Sequence, residues 1–384
     1  MKFAGAISVA LFVLCGAVGG EQQREKPPAQ ATRPAASAFD RIAKDADAAR
    51  KADRIDEAIG LYKRGVALKP SWEEGWWFLG TLYYKLDDYT QGRDAFRHLT
   101  AINQKSSFGW AMLGLCEFQT KQYDRALAHL RRGVDMGLNE DQDIADVANY
   151  HLALLLTRFE EYEQALKVLA PFSQRNLAQP DFVEAVGIAA LRKPVLPSEL
   201  PPTDRQLVMD VGRVMYDAMA ERANQTSAEF KILLDKYPDQ PAIHYLYGSF
   251  LMFSDASQAL EEFKREPPGS PSYVPAMVTI AAEYLRTQEY KAALPYAEKA
   301  VAVDPQSFAA HAVLGRTLVE GDLDQSRGIS ELEQARKLEP NSPQVRIALA
   351  TAYARAGRKD DATRERQEFQ KLKRLKDDSK TGSQ

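Results

Sequence analysis

Two cysteines and five histidines in 384 residues leave little material for metal or redox chemistry. The histidines (His98, His129, His151, His244, His311) are scattered, with no His-Glu-x-x-His helix, and no cysteine pair has zinc spacing. A glycine-rich phosphate loop and a Gly-x-Ser-x-Gly nucleophile elbow are missing too. Charge of one sign is also lacking: 50 basic against 53 acidic residues leave a net charge of −3, which gives no electrostatic footprint for nucleic acid. The basic cluster Lys371, Lys373, Arg374 and Lys376 reads as the solvated tail of a helix. Beyond residue 18 no apolar run is long enough to cross a bilayer. The expectation is a chain with no cofactor, no metal, no nucleic-acid partner and no catalytic constellation.

The one long apolar run lies at the start. Lys2 precedes Phe3 to Val18, and small residues follow, the pattern of a secretory signal peptide over residues 1–19 with cleavage after Gly19. Lipidation of Cys15 is not expected, because Leu14 stands where that modification takes a small residue. The mature chain is then expected in the periplasm or outside the cell, with Cys116 as its single thiol. Two residues after Gly114, that thiol reads as a small buried hydrophobe. Residues 20–38, rich in Glu, Gln, Lys and Pro, read as a disordered linker.

From Phe39 the chain repeats itself about every 34 residues. Trp76, Leu79, Gly80, Tyr83, Gly92 and Phe96 align with Trp110, Leu113, Gly114, Ala126 and Leu130. The same offsets return as Ile280, Ala281, Tyr284, Ala293, Ala297 and Pro305, and again as Leu314, Gly315, Leu318, Leu332, Ala335 and Pro340. A small residue recurs in each first helix (Gly80, Gly114, Ala153, Gly212, Gly248, Ala281, Gly315, Ala350), where the second helix crosses. Another recurs in the second (Ala58, Ala126, Ala165, Ala259, Ala293, Ala362). Pro70, Pro238, Pro271, Pro305 and Pro340 end the second helices. The pattern resembles the tetratricopeptide repeat, a helix–turn–helix unit of that period. The resemblance implies an all-α solenoid, a right-handed superhelix whose pairs are stabilised by stacking on their neighbours.

Nine copies keep this phase. They fall into an N-terminal block at 39–193 and a C-terminal block at 203–372, followed by a disordered tail at 373–384. Between the blocks lies a joint at 194–202, whose prolines forbid a helix. Phe182 to Ala190 reads as a first helix lacking its second. The joint is either an extended plug or a hinge, and the sequence does not choose.

Function follows from the resemblance. Such arrays bind an extended peptide or a partner helix in a groove lined by first helices. The groove positions lie three before, one after, four after and five after the small residue. Toward the N-terminal end they hold Trp77, Tyr84, Leu115, Phe118, Tyr150 and Leu154, with Phe108 a turn earlier. Toward the other end they hold Arg286, Arg316 and Arg355, with Arg213 at the start of that block. Aromatics there either anchor a ligand or extend the core, and the arginines either hold an anion or pair with Glu283 and Glu320. The family's chaperone clamp of groove Lys and Asn is not present. The expectation is a non-catalytic scaffold binding a protein or peptide in the cell envelope. Alternatives are an accessory subunit of an envelope enzyme or secretion machine, or a binder of anionic polymer through the arginines.

Overall fold

The computed structural model describes residues 37–138, 141–220 and 223–381, without the side chains of 223, 224 and 376–381. The signal peptide, its cleavage site, Cys15 and the linker up to residue 36 lie outside the described residues. Ser37 sets the first helix boundary. Its hydroxyl accepts from the Asp40 N–H at 3.0 Å, and the Asp40 carboxylate accepts from the Ser37 N–H at 3.0 Å.

Among the described residues the secondary structure is helical, with no strand. The helices are α1 (Ala38–Lys51), α2 (Ile55–Leu68), α3 (Glu73–Lys85), α4 (Tyr89–Ile102), α5 (Ser107–Gln119), α6 (Tyr123–Asp135) and α7 (Gln142–Arg158). They continue as α8 (Tyr162–Gln174), α9 (Pro180–Ala190), α10 (Arg205–Met219), α11 (Ala223–Lys236), α12 (Ile243–Leu251) and α13 (Ala256–Arg265). The last six are α14 (Tyr273–Arg286), α15 (Tyr290–Val303), α16 (Phe308–Glu320), α17 (Gln325–Leu338), α18 (Pro343–Arg355) and α19 (Lys359–Thr381). Contacts divide the chain into two compact units, and the division falls inside α7 between His151 and Leu152.

In the first unit α1 pairs with α2, α3 with α4 and α5 with α6. The expected small positions are where the helices close: Ala58 and Ala126 are fully buried, and a Cβ on Gly114 would lie 2.7 Å from Leu130 Cγ. Tyr62, Leu79, Leu82 and Tyr83 share a core with Ala58. Each first helix stops at one left-handed residue, Asp53, Asp87 and Lys121, with φ of 54°, 60° and 60°. That reversal, one repeat apart each time, turns the chain back along its own first helix.

The second unit uses the same device at Gln288, Asp322 and Gly357, and also at Arg192, which closes α9. Here the structure departs from the sequence reading. α9 does have a second helix, and it is α10, reached across the proline-rich joint. A Cβ on Gly187 of α9 would lie 2.0 Å from the Val208 carbonyl oxygen. A Cβ on Gly212 of α10 would lie 2.1 Å from the Val183 carbonyl oxygen. Two glycines facing each other's backbone let these helices approach closer than any side chain permits. Gly212 therefore serves as the small residue of a second helix rather than of a new first helix, and α11 packs beyond it through Phe230, whose ring stacks on Tyr247 at 5.0 Å.

Of the two alternatives for the joint, the packed one is found. Leu196 and Leu200 are buried, and Leu200 joins a core with Ile188, Val208, Val211 and Phe230. A 3-10 turn at Pro197–Glu199 lets the Glu199 carboxylate accept from the Leu196 N–H at 3.0 Å and from Arg158 at 2.5 Å. Lys193 and Asp204 close the segment's ends at 2.8 Å. At the C-terminus α19 stays helical to Thr381, beyond the expected block end at 372, since its Lys, Arg, Asp and Leu residues include no proline or glycine to stop it.

Candidate functional site

First helices carry every expected groove residue except Arg213, which lies on α10, the second helix of its pair, so burial decides which of the others meets solvent. In the first unit Trp77, Tyr84, Phe108 and Phe118 are half-buried. Trp77 meets Phe96 at 5.7 Å and Phe108 at 6.4 Å, both edge to face, so Trp77 and Phe108 form the seam between α3 and α5. Tyr84 leans on Tyr89 at 5.3 Å, and burial, with help from Cys116 and Asp87, pushes its phenol up to about 12. Phe118 packs on Tyr123 and, at 4.7 Å, on His151. Leu115 and Tyr150 are buried, and so is Leu154 of the second unit. These three were expected to line a trough; the structure places them in the core. The physical reason is that groove offsets also face the neighbouring first helix, where an apolar side chain is removed from water.

Arginines of the second unit divide in the same way. Arg286 gives two hydrogen bonds to the Glu283 carboxylate, at 2.6 and 2.8 Å, and that contact holds Glu283 below the usual carboxylate range. Arg316 Nε binds Glu320 at 2.8 Å, and Arg355 donates to the Val319 carbonyl at 2.6 Å. Arg213 is exposed and makes no ion pair among the described residues.

An open recess remains in the second unit between α16 and α18. It holds about 280 Å³ and is lined by Arg316, Val319, Glu320, Leu332, Gln344, Ile347, Ala348 and Thr351. Ile347, in its lining, is 40% exposed. Arg316, which lines the recess, bonds Glu320 through Nε. Ile347 and Thr351 stand three before and one after Ala350, the same offsets that pick out Trp77 and Arg316. Sequence reasoning passed over them because one is a plain aliphatic and the other a small hydroxyl.

The histidines have structural partners. His129 meets Glu117 at 2.6 Å, His244 meets Glu262 at 2.7 Å and His311 meets Glu331 at 2.5 Å, each tying a first helix to its second. Among the described residues no cluster of His, Cys, Asp and Glu is arranged to hold a metal ion.

Helix pairs with this turn, this small-residue crossing and this period define an all-α repeat array. A family model described as tetratricopeptide repeat matches residues 44–107, 79–139 and 278–329. Those segments of the chain carry tetratricopeptide repeats. Among solved structures, MamA residues 41 to the end from Desulfovibrio magneticus RS-1 is 22% identical, with 44% of this chain and 96% of that chain covered and a TM-score of 0.39. A double mutant titled MamA RS-1 is 22% identical over the same shares, with a TM-score of 0.40. A further MamA crystal structure is 17% identical over 49% of this chain and 94% of that chain, with a TM-score of 0.38. No curated protein matches the sequence.

Proposed function

We propose that this protein is a non-catalytic interaction scaffold that takes a peptide or partner helix on its first-helix face, and that the working surface is the recess between α16 and α18. One observation carries the choice of place. There the groove offsets hold an exposed aliphatic, Ile347, and the Arg316 guanidinium in the lining of one recess, whereas the aromatics of the first unit are engaged with one another. An apolar side chain flanked by an acidic one fits that pairing.

A photo-crosslinking amino acid in place of Ile347, expressed in the native cell, tests it. The expected result is one dominant adduct, lost when Arg316→Ala is added and retained when the probe-bearing chain carries Arg213→Ala instead. A ladder of unrelated adducts, or an adduct indifferent to Arg316, overturns the assignment.

Export is part of the same proposal, supported by Lys2, the apolar run to Val18 and the small exit residues Ala17 and Gly19. The mass of the secreted protein should begin at Gly20. A mass beginning at Cys15 with acyl chains, or at Met1, refutes it.

A further inference from the structure

His311 and Arg346 stand at the same place in successive repeats, four residues before Gly315 and Ala350. Each joins a backbone carbonyl to a carboxylate. Arg346 donates to the Pro340 carbonyl at 2.8 Å and to Glu365 at 2.9 Å. His311 places Nε2 3.0 Å from the Pro305 carbonyl and Nδ1 2.5 Å from Glu331 Oε2. A carbonyl and a carboxylate both accept, so both ring nitrogens need a hydrogen. A guanidinium always has the second donor, whereas an imidazole has it as the cation.

The ring is 7% exposed, so water has little access to replace a lost hydrogen bond. Arg327 Nε lies 3.9 Å from the other Glu331 oxygen and complements a charged carboxylate, which leaves the ring to hold the proton. Charged groups of the neighbouring helices pair elsewhere. Glu298 of α15 holds Arg327, Glu283 of α14 holds Arg286, Arg336 of α17 holds Glu365, and Arg355 of α18 donates to the Val319 carbonyl. On α16 itself Glu320 holds Arg316.

We infer that the α16–α17 pair is a proton-dependent clasp, closed with one proton bound between His311 and Glu331 and loosened when that proton is lost. Below about 6.5 a free histidine is already protonated, so closing the clasp takes up no proton. Above it, closing draws one from solvent, and stability falls as pH rises. His129 and His244 differ. Each sets one ring nitrogen on a carboxylate, at 2.6 and 2.7 Å, and a neutral tautomer supplies that single hydrogen. Contacts in a repeat array reach adjacent repeats, so the loosening stays near α16 and α17. It touches the recess, whose lining includes Arg316, Val319 and Leu332, the residue after Glu331.

Hydrogen exchange of the full chain at about pH 6 and about pH 8.5 tests this, with parent and variants compared at the same pH. Glu331→Gln presents an amide, whose N–H a neutral ring accepts at Nδ1 while Nε2–H still reaches Pro305. His311→Arg copies Arg346. Between the two pH values, opening of α16 and α17 in the parent should rise about tenfold or more relative to either variant. His244→Gln should keep the parent's response. Nitrogen-15 spectra of the imidazole rings give an independent reading, the His311 signals being those lost in His311→Arg. They should show a doubly protonated ring wherever α16 and α17 stay protected, and should change with the onset of faster exchange. A neutral His311 ring in protected helices overturns the inference. So does a Glu331→Gln chain that retains the parent's pH response, or a His244→Gln chain that loses it.

Discussion

Gly212→Ala separates the α9–α10 pairing from every arrangement in which α10 begins a repeat of its own. In an open helix the change is favourable, since alanine gains about 1 kcal/mol of helix propensity over glycine. Gly60, in α2, is such a place, with nothing within 4 Å of a Cβ there. Gly60→Ala should therefore stabilise by about 0.5–1 kcal/mol. At Gly212 the new methyl would lie 2.1 Å from the Val183 carbonyl oxygen and 3.1 Å from the Gly187 nitrogen. Both are backbone atoms and cannot swing aside, so the helices must part. Separation loosens the packing of Val183, Val208 and Val211, all buried. Overpacking of this kind costs about 1–3 kcal/mol or more, which outweighs the propensity gain and leaves a net loss of about 2 kcal/mol. Gly187→Ala opposes the Val208 carbonyl at 2.0 Å and should cost a similar amount. The double variant should cost less than the sum, because helices parted by one methyl have already made room for the other. Urea unfolding of the full chain, followed by circular dichroism, reads all four proteins. If Gly212→Ala matches Gly60→Ala in sign, α9 and α10 do not cross at these glycines, and the pairing across the joint is wrong.

Leu200→Ala should lower stability by about 2–4 kcal/mol, as expected of a buried leucine, and should open the 194–202 segment to protease that leaves it intact in the parent. Trp77→Ala should cost about 2 kcal/mol, because it strips contacts from Phe96 and Phe108; an unchanged melting curve would return Trp77 to the list of free anchors. Cys116 is buried, and burial, with Glu117 beside it, pushes its thiol upward, so a thiol reagent at neutral pH should react only at the rate of unfolding. Burial depresses His151 below 6.5, although its Nδ1 faces the Val147 carbonyl at 2.8 Å. Between that depressed value and 6.5 the unfolded chain binds more protons than the folded one, so stability should fall as pH drops below about 6.5. His151→Gln should flatten that limb of the pH profile, and an unaltered slope would place the titration elsewhere.

Period and small residues made the helix pairs legible, because a crossing that tolerates only Gly or Ala leaves the same mark in every copy. The α9–α10 pair was illegible for a related reason. Its connection is the proline-rich segment 191–204 rather than a tight turn, so Gly212 keeps the spacing of a first helix while occupying the place of a second. Groove residues were half legible. Offsets placed Trp77, Arg316 and Arg355 on first helices, but burial at Leu115, Tyr150 and Leu154 depends on how closely neighbouring helices approach, which a one-dimensional pattern does not record. Ile347 was missed because exposure, not residue type, makes it notable.

The position four before the small residue has a common task in four repeats. Asn149, His244 and Met277 stand there elsewhere, but in these four it holds Trp76, Trp110, His311 and Arg346, three residue types with no common charge or size. Yet the side-chain nitrogen of each reaches the carbonyl six residues earlier: Pro70 at 2.8 Å, Gln104 at 3.0 Å, Pro305 at 3.0 Å and Pro340 at 2.8 Å. That carbonyl belongs to the turn between repeats, where no helix bond is available to it. Each of the four also touches the second helix of its own repeat: His98 and His129 under the indoles, Glu331 beside His311, Glu365 beside Arg346. A flat group with an N–H at its edge satisfies both contacts at once, and Trp, His and Arg are the side chains that supply one. His311 is thus explained by a bond that a tryptophan makes elsewhere, and its pairing with Glu331 needs no catalytic role. The pair Arg316 and Ile347 remains unexplained by this logic, and it is there that a partner should be sought.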